Sequence, residues 1–396
     1  MPSIMNLPQR PIAVRPGSVP LLVGTALVVL VQLYAAIPLH QLVADDFGSS
    51  DVTTALAAGY SFAYALGFLI YGPLSDHYGR RRILVSGLAA LTIATLAVSL
   101  APSTGALAVL RAIQGLAAAT FAPTALAYLG EALPPPRRAT AIGAISVAFL
   151  AAGILGQLAA TAIATAAGWR GTFSIGGILL AALTLAAFVI IREPEANRLH
   201  QPLPARYAGL LRLALRPRSL LLALGHLVVL GGFVGMYNLL GTHLTSAGLS
   251  ATEIMLVRTA ALPSMLCSLL AGPLAARLGS ARTALTGFIL AAAGLAAESV
   301  LADALTGLLA ASVIFVAGVA VLVPTMITLW GEAAHPARGV GMAVNGFVLF
   351  LGAGLGSYAI ELPRGFGGAL GVLSGLYVAA GAVVYAACAL RGRQRP

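Results

Sequence analysis

The chain has 396 residues, of which 59% are hydrophobic and only 9% charged, and its mean hydropathy is +0.94. Soluble domains carry about 25% charged residues, so this composition excludes one. The net charge of +11 comes from arginine alone, since lysine is absent. The arginines recur in short clusters between apolar runs, which is the pattern of membrane-protein loops and not the single basic surface that nucleic-acid binding requires.

A membrane helix needs roughly 20 apolar residues to cross about 30 Å of hydrocarbon. Such runs tile the sequence without the strict alternation of barrel strands, so the spans are expected to be helices. In chain order, helices are predicted at 20–43, 52–74, 83–101, 105–130, 139–165 and 171–191. After a gap they resume at 219–245, 251–275, 283–301, 305–330, 338–360 and 367–390. The expectation is an all-α membrane protein of twelve transmembrane helices. The first apolar run is longer than a signal-peptide core and reads as a span. Cys267 and Cys388 lie in apolar runs and read as small buried hydrophobes, with no disulfide or zinc spacing.

The gap holds Pro194, Pro202, Pro204 and a run of arginines, and reads as a cytoplasmic linker between two halves. Its end interleaves Arg206, Arg212 and Arg216 with Tyr207, Leu210, Leu211 and Leu213, which fits either a short interfacial amphipathic helix or a charged loop. With both termini cytoplasmic, every arginine except Arg111, Arg170, Arg258 and Arg364 falls at the inner side. Asp45, Asp46, Asp51, Glu253, Glu298, Asp303 and Glu361 fall at outer ends. The expected organisation is a tail at 1–19, a six-helix bundle at 20–192, a linker at 193–218, a second bundle at 219–390 and a tail at 391–396.

The halves echo each other about 200 residues apart, as parallel transporter repeats do. Gly72-Pro73-Leu74 with Gly79 and Arg82 returns as Gly272-Pro273-Leu274 with Gly279 and Arg282. Pro123-Thr124, Gly130-Glu131-Ala132, Pro135 and Arg137 return as Pro324-Thr325, Gly331-Glu332-Ala333, Pro336 and Arg338.

The stretch Gly72 to Arg82, with Leu74, Asp76 and Gly79 ahead of Arg80, Arg81 and Arg82, resembles the signature loop of the major facilitator superfamily. Arg111 followed by Gln114-Gly115 is similar to that family's fourth-helix motif, and Trp169-Arg170 before the sixth helix is also typical. The likeness covers essentially the whole chain and implies two six-helix bundles around a central cavity, working by alternating access. Two features depart from the pattern of drug/proton antiporters. In the fifth helix Ala152 and Gln157 stand where Gly and Pro are usual, and the second signature loop has Ala276 in place of the acid.

The resemblance implies a conformational latch built from Gly72, Asp76, Gly79, Arg80, Arg81, Arg82 and Glu131, with Arg137 as a further partner. Gly72 and Gly79 suit close backbone approach and a tight turn, and Asp76 is expected near a helix N-terminus, whose partial charge favours an anion. Charges inside the membrane are costly and mark function by default. Arg111, Arg258 and Glu298 are therefore candidates; the last two form a pair or, alternatively, extend to the outer surface. Cavity-facing polar candidates are Gln32, Tyr34, Gln114, Tyr237 and Asn238, joined by Gln157, Thr325, Thr328 and Asn345, each either a substrate contact or an interhelical hydrogen bond. Proton-carrying candidates are Asp45, Asp46, Glu298, His226 and His243.

These readings lead to an expected secondary active transporter in the bacterial inner membrane, a proton-coupled exporter of a drug-like, sugar or metabolite substrate. An importer or facilitator on the same fold, and a transporter-like sensor, are the alternatives. The expected partners are a small-molecule substrate, protons and the lipid bilayer, with no nucleic acid, and the expected state is a monomer. No cofactor, metal or enzymatic activity is expected: no phosphate-binding glycine loop, nucleophile triad or metal cluster occurs in the sequence.

Overall fold

Backbone groups in hydrocarbon must find partners within their own segment, which leaves the helix as the local solution for these apolar runs. The computed structural model describes residues 15–49, 52–194, 202–334, 338–362 and 364–389. Among them the chain forms helices and no strand. Arg10, Asp51, Arg198 and the 391–396 tail lie outside the described residues.

The first half consists of α1 (Ser18–Tyr34), α2 (Ala36–Phe47), α3 (Gly59–Tyr78), α4 (Arg80–Val98), α5 (Thr104–Ala118), α6 (Phe121–Ala132) and α7 (Pro135–Ile190). The linker carries α8 (Leu203–Ala214). The second half consists of α9 (Pro217–Ser246), α10 (Ala251–Thr259), α11 (Ala271–Leu278), α12 (Ser280–Val300), α13 (Leu305–Ala333), α14 (Arg338–Gly356) and α15 (Gly365–Ala389).

Ten described helices are long and apolar enough to cross a membrane, or eleven when α1 and α2, bent by 42°, count as one span. One of the ten is the 44-residue stretch Val147–Ile190 of α7. At 1.5 Å per residue it would be about twice the hydrocarbon thickness. Gly168 interrupts it with φ 70 and ψ 175, a conformation that turns the chain back. Read as two spans, α7 brings the number to the twelve expected from the sequence.

Several expected helices are less regular than their hydropathy suggests. The first span breaks at Ala35. The second opens with a π-turn, Thr54–Ala58. The fourth is interrupted between Ala118 and Phe121. The eighth passes from α10 through the 3₁₀ segment Pro263–Leu270 to α11. Hydropathy averages over a window and is blind to such local breaks.

The two halves meet chiefly along α3 and α14. Phe62 lies against Gly354, Phe68 against Gly346, and a Cβ on Gly72 would sit 3.3 Å from Ala343. Within the second half, α9 and α14 cross with backbones nearly touching: a Cβ on Gly231 would come within 2.8 Å of Gly352 O. Replacing Gly352 with Val is expected to wedge α9 from α14 and to cost about 1–3 kcal/mol, the usual penalty of overpacking. Thermal unfolding in detergent checks this; an unchanged midpoint would show that the crossing relaxes freely.

Candidate functional site

Arg111 is fully buried on α5. Its Nε donates to Leu56 O at 2.7 Å, and its Nη1 donates to Gln32 O at 3.0 Å and to Gln114 Oε1 at 2.6 Å. The Gln114 amide then donates to Thr95 Oγ1 at 2.8 Å and to Gln32 Oε1 at 3.2 Å. The guanidinium also lies 4.4 Å from the Tyr60 ring and 5.3 Å from the Phe173 ring. No carboxylate pairs with it among the described residues. Both carbonyls sit at helix irregularities. Gln32 is in the last turn of α1, where carbonyls lose their intrahelical partners, and Leu56 is inside the π-turn, where the regular ladder is disturbed. Arg111 thus joins the first four spans and holds two of their breaks.

A second network occupies the arginine-rich end. Arg80 pairs with Asp76 one turn back, and its Nη2 meets Glu131 Oε1 at 2.6 Å while Nη1 donates to Ser75 Oγ at 2.6 Å. Asp76 Oδ2 also pairs with Arg206 of the linker helix at 3.1 Å. The Glu193 carboxylate accepts from the Arg80 and Arg81 backbone amides at 2.7 and 2.9 Å. The Arg81 side chain donates to Ile191 O and Phe188 O. Arg82 and Arg137 are exposed.

Two expectations need correction here. Asp76 is not at a helix N-terminus but in the last turn of α3; the anion at the N-terminus of α4 is Glu193. Among the described residues the network also does not run directly between the two bundles. It ties the loop, α6 and the end of α7 within the first half, and meets the second through α8, which packs on both α3 and α14. Tyr207 of α8 donates to Ile70 O at 2.9 Å, and burial pushes its phenol pKa up, so it stays a donor. Neither Glu193 nor Arg206 stands out in the sequence, because each meets its partner across more than a hundred residues of chain.

Asp76→Asn is expected to slow transport while leaving insertion and thermal stability nearly unchanged. Its side chain is 37% exposed, and such ion pairs contribute about 0–1 kcal/mol. Arg206→Gln should show the same phenotype; normal flux in both variants would remove this network from the transport cycle.

The cavity lies between the halves. Tyr34, Phe68 and Phe149 line it from the first, and Phe233, Phe350 and Asn345 from the second. Aliphatic side chains of α1, α6, α9, α13 and α14 complete its wall, and among the described residues no charged one lines it. Its nitrogen- and oxygen-bearing side chains are Tyr34 and Asn345. Neither the Tyr34 hydroxyl nor the Asn345 amide has a hydrogen-bond partner among the described residues, and Asn345 is 7% exposed. Phe350 meets Tyr64 edge-on at 4.3 Å, and Phe233 meets Tyr34 at 6.0 Å, so rings from both halves interlock across the cavity.

Of the polar residues expected at the cavity, Tyr34 and Asn345 are there. Gln32 and Gln114 belong to the Arg111 network instead. The Gln157 and Thr325 side chains bond back to their own helices, at Gly153 O and Val321 O. Thr328 is exposed, and Asn238 is half-buried outside the cavity lining. Tyr237 lies one turn beyond Phe233, near Arg258 and Glu298. Of the two arrangements open to Arg258 and Glu298, an ion pair or extension to the outer surface, neither is seen: both side chains are buried, and Glu298 accepts from Ser312. The phenylalanines of the cavity give no signal in the sequence, because nothing in so apolar a chain distinguishes a cavity ring from a core ring.

At the opposite end, Arg170 pairs with Asp46 at 2.5 Å and stacks on Trp169, whose Nε1 also donates to Asp46 at 3.2 Å. Thr54 and Tyr358 share a hydrogen bond of 2.9 Å across the two halves at this end. Among the described residues no group of side chains could hold a metal ion.

A multi-pass helical membrane protein, duplicated in two halves with its cavity between them, is the class these features define. The chain belongs to the Major Facilitator Superfamily, whose profile matches residues 21–357. It is 30% identical over 204 residues to Multidrug resistance protein 3 of Bacillus subtilis, covering 52% of this chain and 39% of that protein. It is 29% identical over 176 residues to the Tetracenomycin C resistance and export protein of Streptomyces glaucescens, covering 44% of this chain and 33% of that one. The matches thus span well under two thirds of these relatives. A solved structure of a bacterial homolog of the human lysosomal transporter Spinster, inward-facing and unoccupied, shares the fold, with a TM-score of 0.65 at 18% identity over 94% of this chain and 95% of the other.

Proposed function

We propose that the chain exports a neutral, amphipathic, ring-bearing small molecule in exchange for protons, by alternating access of its two halves. The carrying observation is the cavity between the halves, apolar and aromatic, with the unpartnered groups of Tyr34 and Asn345 as its polar features. An apolar lining offers no counter-ion, so a charged ligand would be desolvated without compensation. A flat apolar ligand that donates one hydrogen bond and accepts another meets the rings and the amide together. The relatives named for tetracenomycin C export and multidrug resistance support the direction and the substrate type.

In this reading the bundles at 20–192 and 219–390 rock about the cavity as a monomer in the cytoplasmic membrane, with the 193–218 segment joining them. Both termini face the cytoplasm in this reading, which the distribution of charge supports. Arg80, Arg81, Arg82, Arg206, Arg212, Arg216, Arg277 and Arg282 fall toward one end of the bundle, and Asp45, Asp46, Glu253 and Asp303 toward the other.

The test is flux in proteoliposomes of the full chain with tetracenomycin C and an imposed pH gradient. Uphill movement that collapses with a protonophore is expected, weakened about tenfold by Asn345→Leu through loss of the hydrogen bonds. Equilibration indifferent to the gradient would make the protein a facilitator, and gradient-driven movement unaffected by Asn345→Leu would place the substrate elsewhere.

A further inference from the structure

One cluster of buried ionisable side chains stands apart from the cavity. Glu298, on α12, is fully buried. Its Oε1 accepts from the Ser312 hydroxyl of α13 at 2.6 Å, and its Oε2 has no partner among the described residues. Two more buried polar atoms are unpartnered nearby: the Tyr237 hydroxyl on α9 and Arg258 Nε on α10. Tyr237 lies within the electrostatic reach of both Glu298 and Arg258. The Arg258 guanidinium rests over Gly241 of α9.

Resting on the proton-exchange reading above, we propose that Glu298 is the carboxyl that carries the coupling proton, and that Arg258 converts its charge state into movement of the eighth span. An ionised carboxylate away from water costs several kcal/mol unless it is paired. With one hydroxyl donor and no ion pair, the observed arrangement is that of the neutral acid. When the proton leaves Oε2, the carboxylate attracts Arg258, the buried cation within electrostatic reach of the same tyrosine, and pairing draws α10 from α9 toward α12. That motion reaches the other half, because α10 and the 3₁₀ segment after it also pack against α7. In each cycle one proton adds to the carboxylate from one side of the membrane and leaves to the other.

The cluster also touches the cavity. Tyr237 packs on Phe233 with ring centres 4.9 Å apart, and Phe233 lines the cavity. An occupant that displaces Phe233 therefore shifts Tyr237, which lies within electrostatic reach of the acid. Of the other titratable groups on the surrounding elements, His226 of α9 is buried and accepts from Trp330 Nε1 at 3.1 Å through Nδ1. Its Nε2 is unpartnered among the described residues, and it lies about three turns of helix from Tyr237. The rest are engaged or exposed. His243 of α9 stacks on Phe366 and meets Ala302 O at 3.3 Å; Tyr377 of α15 donates to Val229 O; Asp303 is exposed.

The experiment is pH-difference infrared spectroscopy of the purified full chain in a maltoside detergent, without substrate. Wild type should show an acid carbonyl component that vanishes as the pH is raised. Glu298→Gln should lack it, Glu298→Asp should restore it, and Ser312→Ala should shift it by removing the bond to Oε1. The same component undiminished in Glu298→Gln overturns the proposal. In proteoliposomes with tetracenomycin C, Glu298→Gln should lose gradient-driven accumulation about tenfold or more while keeping exchange of preloaded substrate; intact gradient-driven accumulation also overturns it. If wild type moves no tetracenomycin C, the substrate reading fails, and the infrared titration alone decides for or against Glu298.

Discussion

Arg111→Ala should abolish transport and lower the thermal midpoint at once. The substitution removes the guanidinium from three buried acceptors, Leu56 O, Gln32 O and Gln114 Oε1. Each unmet buried acceptor costs about 1–3 kcal/mol, so the loss is about 3 kcal/mol or more. Two of those acceptors belong to the bend of the first span and the π-turn of the second, so the cost falls on the segments that shape the cavity's first-half wall. Arg111→Lys keeps the charge but gives up the planar fork and the ring contacts. It should fall between wild type and Ala in both readings. Thermal unfolding in detergent and flux in proteoliposomes measure the two effects separately. A lowered midpoint with unimpaired flux would reduce Arg111 to a structural pin.

Gly79→Val should be nearly as damaging by a different route. Gly79 has φ 104 and ψ 145, a region open essentially to glycine, and occupying it with another residue costs about 1–3 kcal/mol. A Cβ there would also sit 2.8 Å from Glu193 Oε1. The carboxylate would be pushed off the Arg80 and Arg81 amides, exposing the N-terminus of α4 and removing a charge-assisted cap worth about another 1 kcal/mol. Loss of surface expression or a marked fall in midpoint is expected. Glu193→Gln, which keeps the space and drops the charge, should show a smaller part of it. The equivalent glycine of the second half, Gly279, has φ 83, but a Cβ there would meet no atom within 4 Å, so Gly279→Ala isolates the backbone strain from the clash. Equal effects of alanine at both sites would mean that the Glu193 cap contributes nothing.

The two halves differ where charge is buried. The position that repeats Arg111 in the second half is Ser312, and Ser312 holds Glu298. The first half therefore keeps a permanent cation satisfied by carbonyls and rings, and the second keeps an acid with an unused oxygen. A fixed charge gives a rigid wall, whereas an acid with a free oxygen and a nearby arginine gives a group whose charge can change. This division is what motivates placing proton exchange in the second half.

Much of the architecture was legible in the residues themselves. Hydropathy determined the number of spans, since apolar runs of helical length in lipid have one local solution. The repeated Gly72/Gly272 and Pro123/Pro324 motifs determined the duplication, and the intramembrane charges Arg111, Arg258 and Glu298 announced themselves by their cost. Those signals are local, or need only the chain compared with itself. Tertiary structure alone decided who meets whom. It gave the amide caps of α4 to Glu193 and not to Asp76, brought Arg206 of the linker onto Asp76, and left Arg258 and Glu298 unpaired. It also took Gln32 and Gln114 out of the cavity and put phenylalanines around it. In a chain this apolar, both faces of every helix look alike in sequence, so which residue faces lipid, core or cavity is set only when the helices pack.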